Sequence, residues 1–357
     1  MIPTTTDTKY KYQELKSCLI DRIRNGVYHD GKKISSEPEL CREFSLSRNT
    51  IRQAVKELEQ AGFLYRVQGK GTFVRNRTPE QSRKIALIIY DVSYATHPLT
   101  AGLIRGLDAV LSENGYLLDI LASHRNFQDE NFAQLAAHYA GFLIGAYQID
   151  PLILQELRRL EVPLLFVKNY QPDCLNDAIR IDFHRAGYLA AEHLIKLGRG
   201  ELALVYGGDQ AAISREYRAG VVDCCLEYGA RLRGSHIYEV DFLNSGGALP
   251  AIADCLADSP SRPDGLLAID DQIAAELIRL LQARNRRVPQ DIAVVGCNNS
   301  EIASLNSPSI TTIEIPTFAL GQLAAREIIS RIGGTAENHA PLEVKLLAGE
   351  STAVAAK

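Results

Sequence analysis

The side chains best suited to chemistry crowd into one short stretch, where Arg48, Asn49, Thr50, Arg52, Gln53 and Lys56 follow Ser47. At helical spacing Arg48, Asn49, Arg52, Gln53 and Lys56 share a face, and Ile51, Ala54, Val55, Leu58 and Ala61 fall on the opposite one. Guanidinium and carboxamide groups pair with base edges in a fixed geometry: Arg bridges O6 and N7 of guanine, and Asn bridges N6 and N7 of adenine. Shortly afterwards comes Gly69-Lys70-Gly71-Thr72, a turn whose glycines permit positive φ and whose Lys70 places a cation at the tip, suited to a phosphate or the minor groove. A charged helix face is as a rule only solvated and a Gly-Lys-Gly tip only a turn, so each feature alone says little.

The elements around them give the combination its meaning. Lys9 to Asn25 spaces Tyr12, Leu15, Leu19, Ile20 and Ile23 as one helix that stops at Gly26. A second begins after Ser36, with Glu39 placed for a capping box and Pro38 in the first turn, and it ends near Phe44. After the Ser45-Leu46 turn, Ser47 caps a third, which stops at Gly62. Two helices joined so tightly, the second bearing Arg and Asn near its start, have the layout of a helix-turn-helix that enters the major groove. Residues 63–67 and 72–74 then form a hairpin, the expected wing.

Ser36-Glu37-Pro38-Glu39-Leu40, Ser47 through Ala54, Leu58-Glu59-Gln60-Ala61-Gly62 and Gly69 through Val74 closely resemble the GntR family of bacterial regulators across residues 10 to 75. That resemblance implies DNA contacts from Ser47, Arg48, Asn49, Thr50 and Arg52 on the helix and from Gly69, Lys70, Gly71 and Thr72 on the wing. One position departs: Pro38 stands where the family commonly has Arg, which removes a contact and shifts the expected operator preference.

Charge supports a basic reader joined to an acidic remainder. Residues 1–84 hold 17 Lys and Arg against 10 Asp and Glu, and the rest hold 22 against 33, so a total of −4 conceals +7 and −11. No apolar run is long enough for a membrane span, and the start shows no basic n-region or apolar h-region. The seven cysteines, at 18, 41, 174, 224, 225, 255 and 297, form no CxxC pair and read as free thiols of a cytoplasmic chain. The eight histidines form no HExxH, and neither a GxSxG elbow nor a Walker loop occurs, so no catalytic residue, metal or cofactor is expected.

Residues 76–84, polar and aperiodic, read as a linker between a 1–75 reader and an 85–357 effector-binding and dimerisation domain. From Ile85 short apolar strands alternate with amphipathic helices. Strands are expected at 85–90, 116–121, 142–146, 164–167, 202–206, 266–269 and 292–295. Helices are expected from Thr100, Asp129 and Pro151, and over 184–197, 214–228 and 271–285. The fold class is therefore α/β: a winged helix-turn-helix followed by two lobes, each with a mostly parallel sheet. Ligands in such folds sit beyond the carboxyl ends of strands, where His97, Asp182, Arg215, Asp270 and Asn298 fall. Acids, amides and guanidinium groups suit a polyol, whose hydroxyls both donate and accept, and Tyr217 is expected to cover the apolar face of a sugar ring.

Asp182 with Gly187 through Gly198, Asp270-Asp271-Gln272-Ile273-Ala274, Arg287 through Gly296 and Pro308 through Ile313 look like the LacI/GalR effector domain, related to periplasmic sugar-binding proteins, over residues 85 to 352. By that resemblance Asp182, the Asp270-Asp271 pair and Asn298 occupy ligand-contacting positions. Tyr217 stands where the family has Arg, with Arg215 and Arg218 on either side, and Asn298 stands where Asp is common. The whole arrangement resembles the arabinose-repressor type of transcription regulator: a homodimer on double-stranded operator DNA, released by a small carbohydrate. A purine or other metabolite acting as corepressor, or an activator, stays open, and a carbohydrate-acting enzyme ranks below both.

Overall fold

The computed structural model describes residues 15–353 apart from 17, 21, 24–26, 29–30, 61–62, 68, 75–82, 90, 92–94, 123–137, 147–153, 156, 159–161, 168–176, 210 and 242–246. Within the expected Lys9–Asn25 helix, the described residues 15–16, 18–20 and 22–23 are helical and bury Leu15, Leu19 and Ile23. Helix α1 (Glu37–Phe44) starts where the Glu39 carboxylate accepts from the Ser36 N–H at 2.7 Å and from its hydroxyl at 2.8 Å. It stops at Ser45, whose left-handed φ of 53° turns the chain. Helix α2 (Arg48–Gln60) begins where Ser47 Oγ accepts from the Thr50 N–H at 3.2 Å, and it buries Ile51, Ala54, Val55 and Leu58.

Strands β1 (Leu64–Val67) and β2 (Gly71–Val74) pair antiparallel, with Tyr65 stacked on Phe73 at 5.7 Å. The wing has a third ribbon that the sequence did not disclose: the Val74 N–H donates to Lys32 O at 2.8 Å and the Ile34 N–H to Thr72 O at 3.0 Å. Gly71, at φ 123°, leaves room for the Lys33 side chain, which a Cβ there would strike. The expected linker falls almost wholly outside the described residues.

The first lobe is built on β3 (Lys84–Ile89), β4 (Leu117–Ala122), β5 (Gly141–Ile144), β6 (Leu164–Val167) and β7 (Ala178–Ile179), all parallel, in the order β4-β3-β5-β6-β7. Lys84 extends β3 one residue beyond the expected start, paired with Leu117 of β4 and accepting from the Ala140 N–H at 2.8 Å, and its ammonium reaches Asp119 at 3.0 Å. Helix α3 (Pro98–Glu113) links β3 to β4. The helix expected from Asp129 begins outside the described residues, and of the one expected from Pro151, residues 154–155 and 157–158 are helical and bury Leu154 and Leu157.

The second lobe carries α4 (Phe183–Lys196), β8 (Glu201–Tyr206), α5 (Ala212–Tyr228), β9 (Arg231–Glu239), α6 (Leu249–Asp258), β10 (Gly265–Ala268), α7 (Asp271–Ala283), β11 (Ala293–Cys297), α8 (Glu301–Leu305) and β12 (Thr311–Glu314). Helix α9 (Thr317–Ile332) then returns to the first lobe and packs on α3, β5 and β6, and β13 (Lys345–Leu347) rejoins the second sheet as its one antiparallel strand. That sheet runs β13-β12-β11-β10-β8-β9. Gly102 and Gly106 of α3 face Thr317, Phe318 and Gly321 of α9 so closely that a Cβ on either would collide with the opposite chain.

The chain thus passes between lobes at residues 180–182, 315–316 and 333–344. The first and third passages run side by side, with the Leu342 N–H donating to Arg180 O at 2.8 Å and the Asp182 N–H to Leu342 O at 3.3 Å. Among the described residues no helix is long and apolar enough to cross a membrane.

Candidate DNA interface and interlobe cluster

The helix face of α2 is built as its spacing dictates: Arg48, Asn49, Arg52, Gln53 and Lys56 are exposed, and the opposite stripe forms the small domain's core. One residue that sequence reasoning passed over organises it. Glu37, in the first turn of α1, accepts from Arg52 Nε at 2.9 Å and Arg48 Nε at 3.4 Å, and Arg66 Nη2 of the wing strand stands 3.9 Å from its other oxygen. Burial raises the Glu37 carboxyl, but the hydrogen bonds and charges of Arg52 and Arg48 outweigh it and hold the group below the usual carboxylate range. A carboxylate at the foot of this exposed face fixes where two guanidinium groups point. The signal in the sequence was only an acid eleven positions before Arg48, a separation that means nothing until α1 and α2 are crossed.

Thr50 Oγ1 lies 2.8 Å from Ser47 Oγ, so both hydroxyls are engaged at the helix start. At the wing tip, Gly69 has φ 75°, the Lys70 N–H closes the turn on Val67 O at 3.0 Å, and the Lys70 side chain is exposed beside Gly71 and Thr72.

The second cluster lies where the lobes meet. Asp270 caps α7: its Oδ1 accepts from the Gln272 N–H at 2.7 Å and the Ile273 N–H at 3.4 Å. Its Oδ2 faces two other groups, the Asn298 amide at 2.7 Å and, from the first lobe, His97 Nε2 at 3.4 Å. His97 sits just before α3, and among the described residues its buried Nδ1 finds no hydrogen-bond partner. Asn298 adopts φ 107°, which carries the chain abruptly off the end of β11. Asp271, fully buried, supports this loop by accepting from Thr312 Oγ1 at 2.6 Å and from the Ser300 N–H and hydroxyl at 2.7 and 3.0 Å. Burial pushes its carboxyl up to about 6 despite those donors.

The remaining expected contacts are more dispersed. Asp182 is exposed and caps α4 through the Arg185 N–H at 2.7 Å. Arg215 is exposed on the first turn of α5, with Nη1 donating to Asp209 O at 2.6 Å. Arg218 pairs with the Asp209 carboxylate at 2.7 Å and lies over the Tyr206 ring. Tyr217 needs a correction: its side chain is fully buried and so does not cover an open cleft. Ile213, Tyr217, Val221 and Cys224 recur on the inward stripe of α5, where Gly187 of α4 faces the Tyr217 backbone and Gly220 faces the backbone of His184 and Tyr188, and burial drives the phenol well above its ordinary range. Among the described residues its hydroxyl finds no hydrogen bond.

Known proteins resolve what these two clusters belong to. The model of the bacterial regulatory proteins of the gntR family matches residues 11–74, and that of the periplasmic binding protein-like domain matches residues 191–352. The chain thus carries a segment of the gntR type followed by one of the periplasmic-binding-protein-like type. This regulator is 29% identical, over 98% of both chains, to an arabinose metabolism transcriptional repressor of Halalkalibacterium halodurans. It is 26% identical to a repressor of the same description from Geobacillus stearothermophilus, over 90% of this chain and 91% of the relative. Among solved structures, a complex of the transcriptional regulator CelR with cellobiose superposes with a TM-score of 0.69 at 25% identity, over 93% of this chain and 94% of that one. These relatives are transcription regulators by name and the first matched model is one of bacterial regulatory proteins, which supports a DNA-binding regulator rather than an enzyme.

Proposed function

We propose that this regulator is a cytoplasmic homodimeric repressor whose grip on an operator is released by a small sugar bound between its lobes. The observation that carries the reading is the meeting of His97 with Asp270 and Asn298: three hydrogen-bonding side chains from both lobes converge on one point. A sugar hydroxyl both donates and accepts, so it can replace the His97 contact while satisfying Asp270 and Asn298 together. Such a ligand favours whichever lobe arrangement lets it touch both sides, and the shift is limited to its differential affinity, about 1.4 kcal/mol for each tenfold. Asp182 and Arg215 at the start of α4 and α5 extend the polar rim toward the lobe passages. Two sensors paired as a dimer hold two readers at the spacing of a pseudo-palindromic operator. On each reader, Ser47, Arg48, Asn49, Thr50 and Arg52 read bases while Gly69 to Thr72 follow the phosphates, with residues 1–75, 76–84 and 85–357 as reader, linker and sensor.

Relatives named for arabinose metabolism and a similar regulator solved with cellobiose support this choice over a purine corepressor. A thermal-shift screen with arabinose, ribose, cellobiose and a purine nucleoside, followed by operator gel shifts with each hit, tests it. A sugar that raises the melting temperature and frees DNA is the expected result; a purine that tightens DNA binding overturns it.

A further inference from the structure

Away from the interlobe cluster, a second set of charged side chains acts on the lobe passages themselves. Glu327 of α9 has a side chain only 1% exposed, an environment in which a carboxylate must be paired. It accepts from Arg331 Nε at 2.6 Å, from the Glu337 N–H at 3.2 Å and faces His339 Nε2 at 2.9 Å. Arg331 in turn donates from Nη1 to Asp177 Oδ1 at 2.8 Å and to Leu164 O at 3.0 Å. Two residues one helical turn apart therefore hold the start of β6, the residue before β7 and the third passage. Cavities of about 310 and 390 Å³ flank Arg331, one lined by Arg180, Glu337, Asn338 and His339, the other by Asp177, Thr335 and Ala336. Open space on both sides leaves residues 334–339 of the third passage held by polar links, while Leu342 and Val344 farther on pack against the core.

We propose that Glu327, acting through Arg331 and His339, is a positioning residue for the effector response: it pins the third passage and the residue before β7 to the first lobe, so that the lobes pivot on the short segments 180–182, 315–316 and 340–342. The pin ends immediately before the bridge between Ile181 and Leu342, where the two passages are bonded to each other. A short pivot converts contacts made in the cleft into one defined lobe movement, whereas a loosened passage spreads the same contacts over many arrangements. This rests on the cleft being the effector site.

The test compares full-length Glu327→Gln, His339→Ala and His339→Gln with the native chain, by amide hydrogen exchange without ligand and by titration with arabinose and cellobiose. Glu327→Gln removes a buried charge partner and should speed exchange across 335–342 about tenfold or more, leaving β11 and α7 unchanged. Sugar affinity should fall roughly fivefold or more, while operator affinity without sugar stays unchanged. His339→Ala should share both effects, and His339→Gln, which keeps a donor toward Glu327, should restore them. Faster exchange with unaltered sugar affinity makes Glu327 a structural residue only and overturns the proposal, as does unaltered exchange. If neither sugar binds the native chain, the effector reading fails by itself. The pivot then stands or falls on exchange at 335–342; should Glu327→Gln fail to fold, the two His339 variants decide.

Discussion

The reader and the sensor hold their functional side chains in opposite ways. On α2 the groups proposed to meet DNA stand in water, and one carboxylate, Glu37, sets the direction of two of them. At the interlobe cluster Asp270 is 4% exposed and already caps a helix, so a single side chain holds up the lobe and faces the cleft at once. An exposed site can therefore be altered without cost to its domain, whereas a buried one is tied to the stability of the lobe that carries it.

The sharpest break in that contrast comes from removing both recognition arginines. Arg48→Ala with Arg52→Ala should cost about 2–6 kcal/mol of discrimination between operator and scrambled duplex in gel shifts, with the reader's melting temperature unchanged. Retained discrimination would mean that α2 does not read bases. Next comes Asp271, which tests the opposite side of the comparison. Its carboxyl, pushed up to about 6, keeps its proton more tightly in the folded lobe than in the unfolded chain. Its contribution is therefore complete below about pH 4 and disappears as the pH climbs through about 6. Asp271→Asn does not titrate, so its stability relative to the native chain should improve by about 2–3 kcal/mol between pH 4 and pH 7, measured by urea unfolding. A flat difference across that range refutes the raised carboxyl.

Asp270→Asn should weaken sugar binding about tenfold in calorimetry, since a charged acceptor becomes a neutral one, yet spare α7 because Asn also caps well. Operator binding without sugar should be untouched. The smallest effect belongs to Lys70→Ala, which should weaken binding equally on every duplex and lower the salt slope by about 1, read from affinities at several salt concentrations. A loss confined to one sequence would promote Lys70 from phosphate contact to base reader.

What the sequence made legible follows from the same contrast. The α2 face was readable because exposure and helical period separate its two stripes cleanly, and β3, β5, β8 and β10 were readable as short apolar runs. Tyr217 was misread because position in a motif was weighed above the Ile213, Tyr217, Val221, Cys224 stripe that buries it. Glu37 and Glu327 were invisible for a different reason: each matters through partners brought near only by helix crossing or by the return of the chain. β9, α6 and β13 escaped too, β9 because Arg231-Leu232-Arg233-Gly234-Ser235 carries little apolar alternation.

The return of α9 to the first lobe also orders events at the ribosome. The glycine-lined contact between α3 and α9 joins residues more than two hundred positions apart, so neither lobe is complete until almost the whole chain has emerged. The reader's core, closed within residues 15–74, is finished long before. Fragments left by interrupted translation would carry a DNA-binding module with nothing to restrain it, which makes clearance of incomplete chains part of keeping such a gene switch obedient to its signal.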